Sequence, residues 1–211
     1  MTSLFIDTSS KKIIVAIIKN QEILSSIIED NDTTLSERIF PLLIKVVNDA
    51  DIVIKDIDKI YIVNGPGSFT GVRVGVTIAK TMAWSLNIPL IPISSLEVLA
   101  STKYDGKYLV PYIDARRGYV YGGVYDNDLN SVVSDQHIKL SDLITKIPKR
   151  GKANFVGYEP IETTIEIIEP QVDLIKVINK HQNDEGVNPH SLVPNYLKLT
   201  EAEEKLKKEV V

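Results

Sequence analysis

The feature that most limits how this chain can fold is a pattern that occurs twice. Leu4-Phe5-Ile6 is an apolar run that ends in Asp7-Thr8-Ser9-Ser10 and is followed by a second run, Ile13 to Ile18. The polar turn Lys19-Asn20-Gln21-Glu22 then leads to a third run, Ile23 to Ile28. Short β-branched runs separated by polar turns read as neighbouring strands. A helix is predicted from about Thr34 to Asp49, because Leu35, Ile39, Leu42, Leu43, Val46 and Ala50 recur at helical spacing. Pro41 lies inside that spacing and predicts a kink or an offset start. The second half opens in the same way. Leu109 to Ile113 leads to Asp114-Ala115-Arg116-Arg117-Gly118, then to Tyr119–Tyr125, a turn at Asp126-Asn127-Asp128, a run from Ser131 to Ile138, and a helix over Leu140–Ile147. Both halves read strand, Asp-containing turn, strand, turn, strand, helix.

Between the two units lie a strand at 59–63, a glycine-rich loop, a helix to about Leu86, a strand at Leu90–Ile93 and a helix from Leu96 to about Thr102. Three strands, helix, strand, helix, strand is the ribonuclease-H-like order. The expected fold is therefore α/β: two ribonuclease-H-like halves with mixed sheets flanked by helices, as in actin, sugar kinases and Hsp70. The polar stretch Ser101–Lys107 places the expected boundary, giving halves 1–103 and 104–211. In proteins of that architecture an early hairpin turn in each half holds nucleotide phosphates, and Asp7 and Asp114 occupy the matching turns. That inference is fold-level analogy alone.

Asn64-Gly65-Pro66-Gly67-Ser68-Phe69-Thr70-Gly71 joins a strand to a helix. Such a loop resembles a phosphate cradle, with clustered backbone N–H groups and the positive end of a helix dipole. The chemistry is incomplete: no Lys-Ser/Thr pair follows, and the glycines do not read G-x-G-x-x-G. Gly65 and Gly67 equally serve turn geometry around Pro66, with Ser68 or Thr70 capping the helix. Gly71, Gly75, Ala79 and Ala83 then fall on every fourth residue and make a flat stripe for close packing, either within the chain or against a second one. Arg73 sits in the first turn, where a cation is disfavoured by the dipole. It is the candidate for an intermolecular contact, against the simpler reading of an exposed side chain.

Charge is near balance at −4 over 211 residues, so the chain as a whole is not a basic nucleic-acid binder. Cysteine is absent, which removes disulfides, thiolate metal sites and cysteine nucleophiles together. The first residues carry no secretory pattern and no apolar run is long enough to span a bilayer, which makes the cytoplasm the expected location, with no membrane partner.

Six dispersed motifs narrow the reading. Ile6-Asp7-Thr8-Ser9, Ser36-Glu37-Arg38, the Gly65–Gly75 loop, Ile93-Ser94-Ser95-Leu96-Glu97, Asp114-Ala115-Arg116-Arg117-Gly118 and Pro194-Asn195-Tyr196-Leu197 resemble, in order, the bacterial TsaB family, also called YeaZ. Many relatives carry His where this chain has Leu35. The resemblance implies a subunit of the apparatus that makes threonylcarbamoyladenosine next to the anticodon of tRNA. It implies an accessory scaffold that does not itself catalyse, partnered by the transferase TsaD and the ATPase TsaE, with tRNA engaged through the complex. It also leaves room for a homodimer in isolation. No cofactor is expected, apart from ATP or ADP at the partner interface. The catalytic relatives bind metal through an H-[ML]-E-x-H helix motif; here Ser95-Leu96-Glu97-Val98-Leu99 lacks both histidines. A hard-metal site from Asp7, Asp114 and Glu97 stands as a minor alternative.

The expected partner surface comprises helices 34–49 and 71–86, through Leu35, Ile39, Leu42, Leu43, Val46, Gly71, Arg73, Gly75, Ala79 and Ala83. Phosphate, nucleotide or tRNA contacts would fall to Asp7, Ser9, Gly65, Gly67, Ser68, Thr70, Asp114, Arg116 and Arg117. Asp7 and Ser9 also fit plain turn closure, and Arg116 and Arg117 a solvated hairpin tip. Tyr119, Tyr121 and Tyr125 are expected to pack on one strand face, and the Glu/Lys-rich tail 200–208 to form a solvated helix. Two enzyme readings compete: a nucleotide phosphohydrolase or kinase, and a metallopeptidase-like protein.

Overall fold

The computed structural model describes residues 1–31 and 34–198, so the charged tail lies outside the described residues. Five strands form the first sheet: β1 (Thr2–Asp7), β2 (Lys12–Lys19), β3 (Glu22–Asp30), β4 (Lys59–Gly65) and β5 (Leu90–Ser94). Their order is β3-β2-β1-β4-β5, with β1–β2 and β2–β3 antiparallel and β1–β4 and β4–β5 parallel. Asn20 and Gln21 close the β2–β3 hairpin with positive φ values of 51° and 69°. That matches the twist a two-residue turn must have.

The second sheet comprises β6 (Tyr108–Asp114), β7 (Tyr119–Asp126), β8 (Ser131–Lys139), β9 (Ala153–Val156) and β10 (Ile167–Ile168). Its order, β10-β9-β6-β7-β8, repeats that of the first sheet with β6 in the place of β1. The duplicated ribonuclease-H-like layout is therefore present at the level of hydrogen-bonded topology. The halves differ in the connection between their last two strands. A long helix joins β4 to β5, whereas residues 157–166 join β9 to β10 without a helix.

Helix α1 (Leu35–Asp49) runs through Pro41 without interruption, and α2 (Phe69–Leu86) ends at Asn87 in the left-handed region. Both cover one face of the first sheet, burying Leu4, Ile6, Ile60 and Ile62 against Ile39, Val46, Val76 and Ala79. The period-two alternation of β1 sends Phe5 to the opposite face. There α3 (Ser95–Ala100) and α5 (Leu174–Lys180) lie between the sheets, packed with Leu109, Tyr125 and Val156 of the second. Helix α4 (Leu140–Lys146) covers the outer face of the second sheet through Leu143. Tyr121 and Tyr125 join the central core, and Tyr119 and Tyr121 both stand against His137, with centroids 4.9 and 5.4 Å apart. Among the described residues no helix is long and apolar enough to cross a membrane.

The chain then returns to its first half. Lys59 Nζ donates to the carbonyls of Gln182 and Asp184 at 3.1 and 3.2 Å, and Val187 N donates to Leu90 O at 2.8 Å. Lys80 Nζ donates to Leu192 O at 2.7 Å, Leu192 enters the first core, and Asn195 N donates to Asn64 O at 2.7 Å.

Candidate functional site

The strand order places the ends of β1 and β6 on a shared cleft of about 670 Å³. Ser9, Ser10, Lys11, Gly67, Ser68, Thr70 and Gly71 line one side, and Ile113, Asp114, Tyr121, Tyr158 and Glu159 the other. The structure thus brings Ser9, Gly67, Ser68, Thr70 and Asp114 together, as expected for residues at equivalent strand ends. Asp7 lies beneath this surface, only 3% exposed. Ser9 donates to Asp7 Oδ1 twice, from its backbone N at 2.7 Å and its hydroxyl at 2.6 Å. Burial pushes the Asp7 carboxyl up to about 6, against the pull of those hydrogen bonds. Arg116 N donates to Asp114 Oδ1 at 2.8 Å, repeating the turn closure in the second half.

The glycine loop is held by contacts within the chain. Ser68 N donates to Ser9 O at 2.7 Å, and Ser68 caps α2 by accepting from Gly71 N at 3.2 Å. A Cβ on Gly67 would stand 2.2 Å from Ser9 O, and one on Gly71 2.1 Å from Thr8 O. On Gly75 it would stand 2.3 Å from Thr8 Oγ1. The small residues therefore let α2 lie directly on the Thr8–Ser9 turn. Gly65 sits apart, with φ 113° and its missing Cβ against Asn195 O.

This corrects the expected partner surface. Leu35, Ile39, Leu42, Leu43, Val46, Gly71, Gly75, Ala79 and Ala83 are all buried inside the chain. The physical reason is that the apolar stripe of each helix is needed to cover the sheet. Arg73 is exposed yet engaged: its guanidinium lies 3.7 Å from the Phe69 ring centroid, and Nε donates to Tyr196 Oη at 2.7 Å. What α1 and α2 offer outward is different. Phe40, Ile44 and Trp84 are 57%, 57% and 64% exposed. Between the helices runs an apolar groove of about 240 Å³, lined by Phe40, Leu43, Ile44, Val47, Ile54, Met82 and Leu86 among others, so that of the expected partner-surface residues Leu43 borders it.

Arg116 and Arg117 take positive φ at the β6–β7 hairpin tip, outside the cleft, and Arg117 borders a separate pocket with Lys139 and Glu162. Asp7, Asp114 and Glu97 are not gathered into one site. Glu97 instead accepts from His181 Nε2 at 2.7 Å, and Lys180 Nζ stands 3.4 Å away. Among the described residues no group of three or more His, Asp or Glu side chains is placed to hold a metal ion. Ser95 and Leu99 are buried, and the Ser95 hydroxyl donates to Pro66 O.

The cleft's charge is mostly negative. Among the described residues that line it Lys11 is the one cation, 3.7 Å from Glu159, whose carboxyl is pushed up by burial. Burial and the nearby Asp7 charge push Tyr158 up to about 12. Sequence reasoning missed Lys11, Asn31, Tyr158 and Glu159. For Tyr158 and Glu159 a signal existed: Gly157 follows β9 as Gly65 ends β4, so extending the internal echo one strand further locates them.

Comparison with known proteins gives concordant results. Residues 22–159 match the family model described as TsaD, tRNA N6-adenosine threonylcarbamoyltransferase. The chain is 36% identical to the tRNA threonylcarbamoyladenosine biosynthesis protein TsaB of Bacillus subtilis, with 97% of each chain covered. It is also 36% identical to TsaB of Buchnera aphidicola subsp. Schizaphis graminum, covering 71% of this chain and 74% of that one. YeaZ from Pseudomonas aeruginosa superposes with a TM-score of 0.76 at 24% identity, covering 93% of this chain and 99% of that one, which is a likeness of fold.

Proposed function

The chain belongs to the TsaB family of tRNA threonylcarbamoyladenosine biosynthesis proteins, within the wider grouping that the TsaD family model describes, and from that premise we propose that it is a non-catalytic subunit that binds and activates a TsaD-type transferase. The observation that carries this reading is the apolar groove between the outer faces of α1 and α2. Aromatic and branched side chains left in water at Phe40, Ile44 and Ile54 line this groove, a surface of the kind that a protein interface buries. The cleft supports the same view from the other side. Among the described residues its lining offers hydroxyls and carboxylates with a single cation, a poor match to a polyphosphate, and the stretch Ser95–Leu99 is spent on packing and on the Glu97–His181 pair. Docking on the helix groove would order the transferase and help to form the surface on which the ATPase TsaE and tRNA act.

The test is a double substitution outside the core. Phe40→Asp with Ile44→Asp should leave the melting temperature of the isolated chain unchanged, because both side chains are exposed. Each hot-spot loss costs about 2 kcal/mol or more of binding, so co-elution with the transferase on a sizing column should vanish. Retained co-elution sinks the reading. Titration with Mg-ATP addresses the enzyme alternative: turnover by the isolated chain would replace a scaffold with a nucleotide phosphohydrolase.

A further inference from the structure

Positive charge is segregated in this acidic chain. Residues 139–152 carry Lys139, Lys146, Lys149, Arg150 and Lys152 against the single acid Asp142, while the whole chain has a net charge of −4. The fold gathers the later part of that segment with residues 103–107. Lys107 N donates to Lys152 O at 2.9 Å, and the Lys107 methylenes lie where a Cβ on Gly151 would meet them at 2.9 Å. Lys103 and Lys152 border one pocket, whose lining also includes the carboxylates of Asp105, Glu166 and Glu169. Lys103, Lys107, Lys149, Arg150 and Lys152 are all exposed. Of these, Lys152 pairs with Glu166 at 3.6 Å, and the other four have no acid partner among the described residues. The patch lies at the start of β6, the far end of that strand from Asp114 and the cleft.

Two properties separate this surface from the α1–α2 groove. None of the large exposed apolar side chains falls within 103–107 or 146–152. Lysine-rich, apolar-poor surface is depleted at the centre of protein interfaces and is what contacts a phosphate backbone. The pocket beside it, about 340 Å³, also has an unmet need. Asn154 lines it and is 2% exposed; its Nδ2 donates to Glu166 Oε2 at 2.8 Å, and among the described residues its Oδ1 has no partner. The hydroxyl of Tyr104, a residue of the same lining, is likewise buried and has no partner among the described residues. A buried acceptor left unpaired is destabilising until a donor reaches it. RNA supplies such donors beside its phosphates, in ribose 2′-hydroxyls and base amines.

We propose that this end of the second half is an RNA-contact surface: Lys103, Lys107, Lys149 and Arg150 meet phosphates, and the Asn154 pocket receives a hydrogen-bond donor from the bound strand. The choice of RNA rests on the tRNA-modification reading above; the surface itself does not depend on transferase docking. An unmodified tRNA transcript is titrated, by fluorescence anisotropy over a series of salt concentrations, with the full chain alone and with the chain mixed with the transferase. Lys149→Glu with Arg150→Glu should weaken binding about tenfold and lower the slope of log affinity against log salt by about two. Lys19→Glu, a charge reversal elsewhere, should change neither by as much. The Asn154 side-chain amide resonance should move on RNA addition. A DNA of the same sequence separates the donors: tighter RNA binding assigns the 2′-hydroxyl, equal binding a base amine. An unchanged slope in the double variant overturns the proposal. So does loss of transferase co-elution with tRNA affinity intact, which would assign the patch to an acidic protein face. An unmoved Asn154 resonance under saturating RNA overturns the pocket's part.

Discussion

Alanine in place of Gly71 would gain roughly 1 kcal/mol of helix propensity, yet its Cβ would stand 2.1 Å from the backbone carbonyl of Thr8. The obstacle is main chain on both sides, so the turn or the helix must shift. Overpacking of this kind costs about 1–3 kcal/mol, which outweighs the propensity gain. At Gly75 the obstacle is Thr8 Oγ1, a rotatable side chain that donates to Gly71 O at 2.7 Å. Gly71→Ala should therefore lower the urea midpoint more than Gly75→Ala. Equal midpoints for both variants and the wild type would show that the helix is not seated on the turn. The glycines were visible in the sequence, and their spacing implied close approach. What they approach was not visible, because Thr8 lies 63 positions away from Gly71.

Between elements, the contact most open to chemical control joins α3 to the residue that ends α5. His181 stands 2.7 Å from Glu97 through Nε2 and 2.7 Å from Asp184 through Nδ1. The Glu97 hydrogen bond, more than burial opposes it, raises the imidazole above its ordinary value. A histidine raised in the folded state gives stabilisation that is whole below its unfolded value, about 6.5, and is lost as pH rises through the folded value. Chemical denaturation of the wild type between pH 6 and pH 9 should show falling stability, and His181→Gln should flatten that slope. A wild-type curve that rises over the same range contradicts the assignment. The two helices themselves were legible as apolar spacing at 34–49 and 71–86. Their outward face was not, since period alone gives an apolar stripe and not a second, smaller apolar surface at Phe40 and Ile44.

Across the whole molecule, residues 182–196 act as a strap from the second half to the first. Leu192 is 7% exposed within the α1–α2 core, and Lys59, Lys80, Leu90 and Asn64 all bond to the strap's backbone. Leu192→Ala should cost about 2–5 kcal/mol, as for other buried leucines, with a single unfolding transition by circular dichroism. A normal midpoint would mean that the strap is not part of the first core. The family motif Pro194-Asn195-Tyr196-Leu197 flagged the segment, and its position beside Asn64 and Arg73 gives that motif a structural task.

Although β9, β10 and α5 were not read from it, the sequence by itself determined the order of the first eight strands and four helices, the duplication and the family. Each depends on local spacing, turn chemistry or short motifs, all written along a few consecutive residues. The tertiary structure alone decided which face of each helix is spent on its own sheet and which is left to water. It alone placed Lys103 and Lys107 beside Lys152, and set Glu97 against His181. Those outcomes follow from strand order and packing, which couple residues far apart in the chain and leave no mark in any one window of it.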